Sequence, residues 1–101
     1  MRVVFCTTPT EKAEEIADKI LESKLVACVN IIDTVKSKYW WEGKIQTDEE
    51  SLLIIKTKVE LIEKLIIKIK EVHPYEVPEI ISFEIKEGST EYLDWIKKVT
   101  L

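Results

Sequence analysis

The chain has 101 residues and a formal net charge of −4 at pH 7; 46% of the residues are hydrophobic and 34% are charged. This composition excludes a disordered chain and predicts one globular domain over residues 1–101, small enough for self-association to add useful burial. The acidic balance argues against nucleic acid and anionic membranes as partners, and no apolar run reaches the roughly 20 residues that span a bilayer.

The first half of the chain predicts a strand, a helix and a long hairpin. Residues 3–7 are β-rich, and Thr8-Pro9-Thr10-Glu11 has the pattern of a capping box with proline at the first helical position. Residues 25–32 are uniformly apolar, which predicts a strand covered on both sides. From Val35 to Trp41 the side chains alternate in character, and Glu42-Gly43 offers a turn, which predicts an aromatic hairpin arm. The helix between them has one apolar face, formed by Ala13, Ile16, Ala17, Ile20 and Leu21.

The second half predicts two strands and two helices. Residues 51–57 form a strand, and a second amphipathic helix covers residues 61–69 and ends before His73-Pro74. Residues 80–85 form the last strand, and Ser89 or Thr90 caps a short final helix. The order βαββαβ plus a terminal helix is the α+β, ferredoxin-like split βαβ plan, an antiparallel sheet with both main helices on one face.

The segment from His73 to Glu79 contains an unusual number of conformationally restricting and potentially ligand-binding residues. It holds the only histidine, two of the three prolines, a tyrosine and two carboxylates. Each proline fixes its own φ and keeps the preceding residue out of the helical region, so His73 and Val77 are expected to be extended. The ring and the carboxylates therefore lie on a stiff backbone.

The open face of the sheet predicts self-association. With the helices on one face, the other face needs a cover, and a second protomer is the natural candidate. Trp40 and Trp41 point to opposite sides of a strand, so at least one indole faces away from the core or lies on a protruding arm. Indole surface of that size is usually buried at a contact.

The cysteines and the overall composition carry two further expectations. Cys6 and Cys28 lie in apolar β-like runs, which favours reduced core thiols over a disulfide framework and, with no recognisable targeting segment, a cytoplasmic protein. The abundance of Lys, Glu and Ile, with one Met and two Gly, leans toward heat-resistant proteins.

Four motifs occur in order along the chain: residues 27–31 (ACVNI), 37–45 (SKYWWEGKI), 54–57 (IIKT) and 73–80 (HPYEVPEI). With these motifs the sequence resembles the CutA1 divalent-cation tolerance family over nearly its whole length. The resemblance implies a homotrimer of ferredoxin-like subunits similar in architecture to PII signalling proteins, with strands continued between subunits. It also implies a role in tolerance to divalent metals, with Cu(II) or another divalent cation as the ligand.

By position, the resemblance implies a shared inter-subunit cleft formed by Cys28, Tyr39, Trp41, Lys56, His73, Tyr75 and Glu76. His73, Cys28 and Glu76 are the expected metal ligands, since His, Cys and carboxylate groups bind such ions. One subunit offers a single histidine, so a site needs groups from more than one chain. The alternative for His73 is donation to a backbone carbonyl that fixes the helix end.

Other assignments stay open at this point. Lys56 could pair with Glu76, bind an anionic ligand in the cleft or lie free at the surface, and Tyr39 and Tyr75 could bond a small molecule or backbone groups. A PII-like signalling trimer that binds a small anionic ligand is therefore the alternative function. Enzyme activity is not expected, because a phosphate-cradling loop of the acylphosphatase type needs an arginine and the only one is Arg2.

Overall fold

The computed structural model describes residues 1–101 and confirms the ferredoxin-like plan. Its strands are β1 (Arg2–Thr8), β2 (Cys28–Trp41), β3 (Lys44–Thr57) and β4 (Ile81–Glu84), and its helices are α1 (Ala13–Glu22), α2 (Ile62–Val72) and α3 (Thr90–Val99). The strand order is β2-β3-β1-β4, and all neighbours are antiparallel. Short 3₁₀ turns at Thr10–Lys12 and Val59–Leu61 lead into α1 and α2. No helix has the length and apolar character needed to cross a membrane.

The hydrophobic core lies between α1, α2 and one face of the sheet. Alternate residues of the two central strands are buried, because successive strand side chains point to opposite faces. Fully burying each large aliphatic side chain contributes about 1.5–3 kcal/mol. The buried stripe of α1 is as predicted except for Leu21, which is 36% exposed. The central core residues are Val4, Cys6, Ile16, Ile20, Leu53, Ile55, Leu65 and Ile69.

The other face of the sheet is apolar and mostly open. Phe5 of β1 contacts Phe83 of β4 edge-on, with ring centroids 5.0 Å apart. Phe83, Ile81 and Ile32 are nearly half exposed. Helix α3 covers only one end of this face, where it contacts β3 and buries Ile96 outside the main core. Apolar surface gathered on one sheet face is typical of a contact with another chain.

The predicted capping box at the start of α1 is wrong. Thr8 is the last residue of β1, paired with Ser51, and its buried hydroxyl donates to the Pro9 carbonyl at 3.1 Å. Pro9 itself occupies the cap position with φ −56° and ψ 139°, and no side chain caps the turn. The ladder with β3 keeps the Thr8 hydroxyl turned into the protein, away from the amides that it would otherwise cap.

The prediction of a strand at residues 25–32 covered on both sides is also wrong within one chain. Leu25 and Val26 are buried but precede the strand, which begins at Cys28. β2 lies at the edge of the sheet, and Ile32 on its open face is 45% exposed. The uniform apolar run therefore combines core residues before the strand with residues of the open face.

The predicted aromatic arm is confirmed. Beyond a register shift between Ile32 and Val35, β2 and β3 continue as a two-stranded hairpin, and the molecule is 44 Å long against 25 and 22 Å in the other directions. Glu42 (φ 51°) and Gly43 (φ 76°) form the turn, and both lie in the left-handed region that two-residue hairpin turns require. Trp40 pairs with Ile45 across the arm and is 72% exposed.

Candidate ligand cleft

An open cleft of about 920 Å³ lies between the base of the arm and the loop that follows α2. We call this space the cleft and residues 74–79 the cleft loop. The cleft brings together four of the predicted site residues from distant parts of the chain: Tyr39, Trp41, Tyr75 and Glu76. Its full lining is Thr7, residues 36–41, Glu50 and residues 74–79.

His73 anchors the start of the cleft loop. It is extended (φ −85°, ψ 136°), as the following proline requires, and its amide donates to the Ile69 carbonyl at 2.8 Å, closing α2. The residue is only 7% exposed. Its Nε2 donates to the Thr7 carbonyl at 2.8 Å, and its Nδ1 accepts from the Tyr75 amide at 3.1 Å. The arrangement matches the backbone-anchor alternative for this histidine.

Tyr75 connects the cleft loop to the arm. Its hydroxyl donates to Glu50 Oε2 at 2.7 Å, and its ring lies 4.7 Å from that of His73, centroid to centroid. Glu50 is 5% exposed, so this hydrogen bond satisfies a carboxylate that is almost removed from water. Burial and then the bond to Glu50 raise the pKa of Tyr75. The phenol therefore stays protonated and keeps donating.

Tyr39 makes a similar pair on the arm itself. Its hydroxyl donates to Asp48 Oδ2 on the neighbouring strand. That hydrogen bond is the main reason that the pKa of Tyr39 is raised. Two tyrosine–carboxylate pairs thus border the cleft, one at its floor and one on its arm wall.

The cleft is acidic and lacks ion pairs. Glu50, Glu76 and Glu79 line it, and the only ion pairs of the chain are Lys19–Glu15 and Lys68–Glu71, on the outer surfaces of α1 and α2. Burial and the charge of Glu50 raise the pKa of Glu79. Burial, then Glu79 and Glu50, raise the pKa of the core thiol Cys6 to about 12. The lining also holds Lys36 and Lys38, so its three carboxylates leave a small net negative charge.

Cys28 and Lys56 lie elsewhere in the chain. They are cross-strand partners, and Lys56 also pairs with Val3, whereas His73 is bonded at Thr7. Val3 and Thr7 are four residues apart on β1, so the two contact points are separated by about 13 Å. Both side chains converge on Asn30, whose Oδ1 accepts from Lys56 Nζ and from Cys28 Sγ, the latter at 3.8 Å. The seven residues of the expected cleft thus form two separate groups in one subunit.

The three expected metal ligands are not assembled within one chain. No group of three or more His, Cys, Asp or Glu side chains is close enough to hold an ion. His73 offers no free nitrogen, since one ring nitrogen carries the hydrogen donated to Thr7 and the other accepts from Tyr75. Cys6 and Cys28 form no disulfide, and Cys6 is a core thiol as predicted. The core prediction is wrong for Cys28, which is only partly buried because it lies on the edge strand β2.

Two carboxylates were not singled out from the sequence: Glu50, which lines the cleft, and Asp48, which bonds Tyr39 beside it. Glu50 and Asp48 are acidic positions on the arm face that also carries Tyr39, and their partners come from the opposite strand and from the cleft loop. The available signal was the acidic run of residues 48–50 directly before an apolar strand. A carboxylate at the entry to a buried strand needs a donor, and the motif-borne tyrosines supply it.

Comparison with known proteins agrees with this fold. The family model of the CutA1 divalent ion tolerance protein matches residues 2–99. The chain is 48% identical to protein CutA 1, chloroplastic, of Oryza sativa over 97% of its own length and 56% of that protein, and 44% identical to the divalent-cation tolerance protein CutA of Thermus thermophilus over 97% and 96%. It spans about half the length of the first curated relatives, those of Oryza sativa, Arabidopsis thaliana and Homo sapiens.

Solved structures give the same result. CutA1 from Oryza sativa superposes with a TM-score of 0.96 at 48% identity, covering 99% of this chain and 93% of that one. A PII-like protein CutA from Nostoc superposes with a TM-score of 0.94 at 36% identity, covering 100% and 98%. The family model spans nearly all residues, including every element that forms the cleft. The chain therefore belongs to the CutA1 family of divalent ion tolerance proteins.

Proposed function

We propose that this protein acts in divalent-cation tolerance as a homotrimer that binds divalent cations at the cleft. The observation that supports this function best is the excess of carboxylates there. Glu50, Glu76 and Glu79 line the cleft, and none of them forms an ion pair. A cation that enters relieves their mutual repulsion, whereas an anion adds to it.

The donor set favours weak, exchangeable binding over a closed structural site. Carboxylates in an open cleft suit a divalent cation that keeps several of its waters. Cu(II) stands highest in the affinity order for divalent ions, so it is the first ion to test. A neighbouring subunit would supply the remaining ligands, and Cys28 and Lys56, which lie at the other end of the sheet, could reach the cleft only from another chain.

The trimer is part of this proposal. The open apolar sheet face and the exposed Trp40 support association, and a threefold assembly would repeat the carboxylates of the cleft at each subunit boundary. A cytoplasmic location remains the prediction from the sequence; one curated relative is named chloroplastic and a solved relative from Archaeoglobus fulgidus is named periplasmic.

The test is a calorimetric titration of the reduced protein with Cu(II) and Zn(II), with the assembly mass measured in parallel. We expect saturation at an integer number of ions per trimer. Replacing Glu76 with Gln should weaken binding about tenfold or more, the scale on which lost metal-site groups act. Glu63→Gln on the exposed surface of α2 is the matched control and should leave binding unchanged. Non-stoichiometric binding that is indifferent to Glu76→Gln and Cys28→Ser would reject the proposal.

A PII-like role with a small anionic ligand is the second candidate. It is supported by two lysines in the same cleft, Lys36 and Lys38, and by the PII-like name of the Nostoc relative. The two functions require ligands of opposite charge. Protection against heat by a nucleotide or carboxylate metabolite would favour the anionic ligand, provided that the double variant Lys36→Ala, Lys38→Ala loses this protection. Protection by divalent cations alone would favour the cation.

A further inference from the structure

The base of the arm contains a β-bulge. Two residues of β2, Asp33 and Thr34, lie opposite a single residue of β3, Ser51. An extra residue on one strand bends that strand and increases its local twist, and such bulges often lie beside functional sites, where they redirect side chains. This bulge lies where the sheet ends and the arm begins. The pairs on either side of it are Ile32 with Leu52 and Val35 with Glu50.

The bulge decides which side chains of the arm face the cleft. Continued without a bulge, the register of the sheet would pair Thr34 with Glu50. Lys38 would then lie on the face of this carboxylate, because side chains alternate along a strand. The observed register of the arm pairs Val35 with Glu50 and fits the two-residue turn at the arm tip, so Tyr39 lies on that face instead. The bulge absorbs the difference of one residue between the two registers.

Two hydroxyl groups hold the bulge in place. The Asp33 carbonyl accepts from Ser51 Oγ at 2.6 Å and from Thr10 Oγ1 at 3.3 Å. Ser51 is fully buried and pairs with Thr8 of β1, and a buried hydroxyl needs an acceptor. Thr10 lies in the short 3₁₀ turn that leads into α1. The bulge is therefore tied both to the centre of the sheet and to the helix layer.

Few other contacts within one chain fix the direction of the arm. Beyond the bulge β2 pairs only with β3, and a two-stranded ribbon has little rigidity of its own. The single hydrogen bond between the cleft loop and the arm joins Tyr75 to Glu50, at the base of the arm. The angle of the arm is thus set at its junction with the sheet.

We propose that Thr10 and Ser51 are positioning residues: by holding the carbonyl of Asp33 they fix the bulge and, through it, the angle between the arm and the cleft loop. Neither residue lines the cleft, so both act through the backbone of β2. The inference goes beyond the proposed function, because the arm forms one wall of the cleft whether the ligand is a cation or an anion.

Residual dipolar couplings of the backbone amides provide the test in the whole protein, because they report the orientation of the arm relative to the sheet and not its stability. The double variant Thr10→Val, Ser51→Ala leaves the Asp33 carbonyl without either hydroxyl. We expect residues 35–50 to lose the alignment that they share with β1 in the natural chain. Thr10→Ser keeps its donor and should retain that alignment. A common alignment in the double variant would assign the arm angle to other contacts and overturn the proposal.

A second variant tests the bulge itself. Deleting Thr34, which is exposed, lets the ladder continue without an extra residue while Val35 still pairs with Glu50. The same side chains should then face the cleft, but the arm should lie at a new angle, since the bend of the bulge is gone. In this background Thr10→Val should have no further effect on the couplings. An unchanged arm after the deletion, or an effect of Thr10→Val that persists in it, would contradict the proposal.

Discussion

At the scale of residues, the cleft rests on a few polar contacts that join distant segments. Glu50 is the most buried carboxylate of the chain and has one hydrogen-bond donor, Tyr75, which lies 25 residues away. Asp48 has the corresponding partner Tyr39, but at an exposed position on the arm. The same tyrosine–carboxylate hydrogen bond therefore occurs once at a buried and once at an exposed position, so the effect of burial on its contribution to stability can be measured.

Replacing Tyr75 with Phe should destabilise the protein by about 1–3 kcal/mol, because Glu50 would stay buried without its donor. Urea unfolding measures the change. Tyr39→Phe removes the same hydroxyl from the exposed pair and should destabilise the protein clearly less, because water can replace the lost partner of Asp48. Equal losses for the two variants would show that the burial of Glu50 does not set the energy of its contact.

Glu79 predicts a pH dependence of stability. Burial and Glu50 raise its pKa in the folded chain, so the folded state binds the proton more tightly than the unfolded state. Its contribution to stability is therefore full below the unfolded pKa and is lost as the pH rises through the folded value. Glu79→Gln should be the more stable form at neutral pH, by at most about 0.5 kcal/mol at this exposed site, and the advantage should vanish in acid. A variant less stable than the natural chain at neutral pH would contradict this.

At the scale of elements, local signals placed most of the boundaries. His73-Pro74 ends α2, Ser89 caps α3 by accepting from the Tyr92 amide at 3.3 Å, and Glu42-Gly43 makes the hairpin turn, all as predicted. The predicted cap at Thr8 fails because Thr8 pairs with Ser51 of β3 in the sheet. Contacts of long sequence separation, such as Tyr75 with Glu50, and the distance between Cys28 and His73 depend on strand register, which no local pattern encodes.

The arm tip predicts a role in association. Trp40 and Ile45 are cross-strand partners and strongly exposed, so they contribute little to the stability of one chain. Replacing Trp40 with Ser should weaken assembly, seen as dissociation at higher protein concentration in analytical ultracentrifugation, with the far-ultraviolet circular dichroism unchanged. Val59→Ser, an exposed apolar position before α2, is the control. An unaltered mass for the Trp40 variant at every concentration would remove the arm tip from the interface.

At the scale of the whole molecule, a single chain leaves much apolar surface uncovered. It is 44 Å long, leaves one sheet face open and has only two ion pairs. The heat resistance predicted from composition would usually draw on ion-pair networks, which this chain does not contain. Any such resistance should then come from assembly.

Assembly predicts a thermal midpoint that rises with protein concentration and lies above the ordinary mesophilic range of about 45–65 °C. Calorimetry over a hundredfold range of concentration measures both properties. Dilution should lower the midpoint, since subunits that bind only the folded state stabilise it by mass action. A midpoint in the mesophilic range that is independent of concentration would contradict both the heat resistance and its assigned origin.

The most direct test of the cation-binding cleft is a crystal grown with Cu(II), with data collected on both sides of the copper absorption edge. We predict an anomalous peak in the cleft, within coordination distance of carboxylates among Glu50, Glu76 and Glu79, repeated at each subunit boundary. A peak at Cys28 and Lys56 alone, scattered peaks on the outer surface that differ between subunits, or an empty cleft would contradict the account.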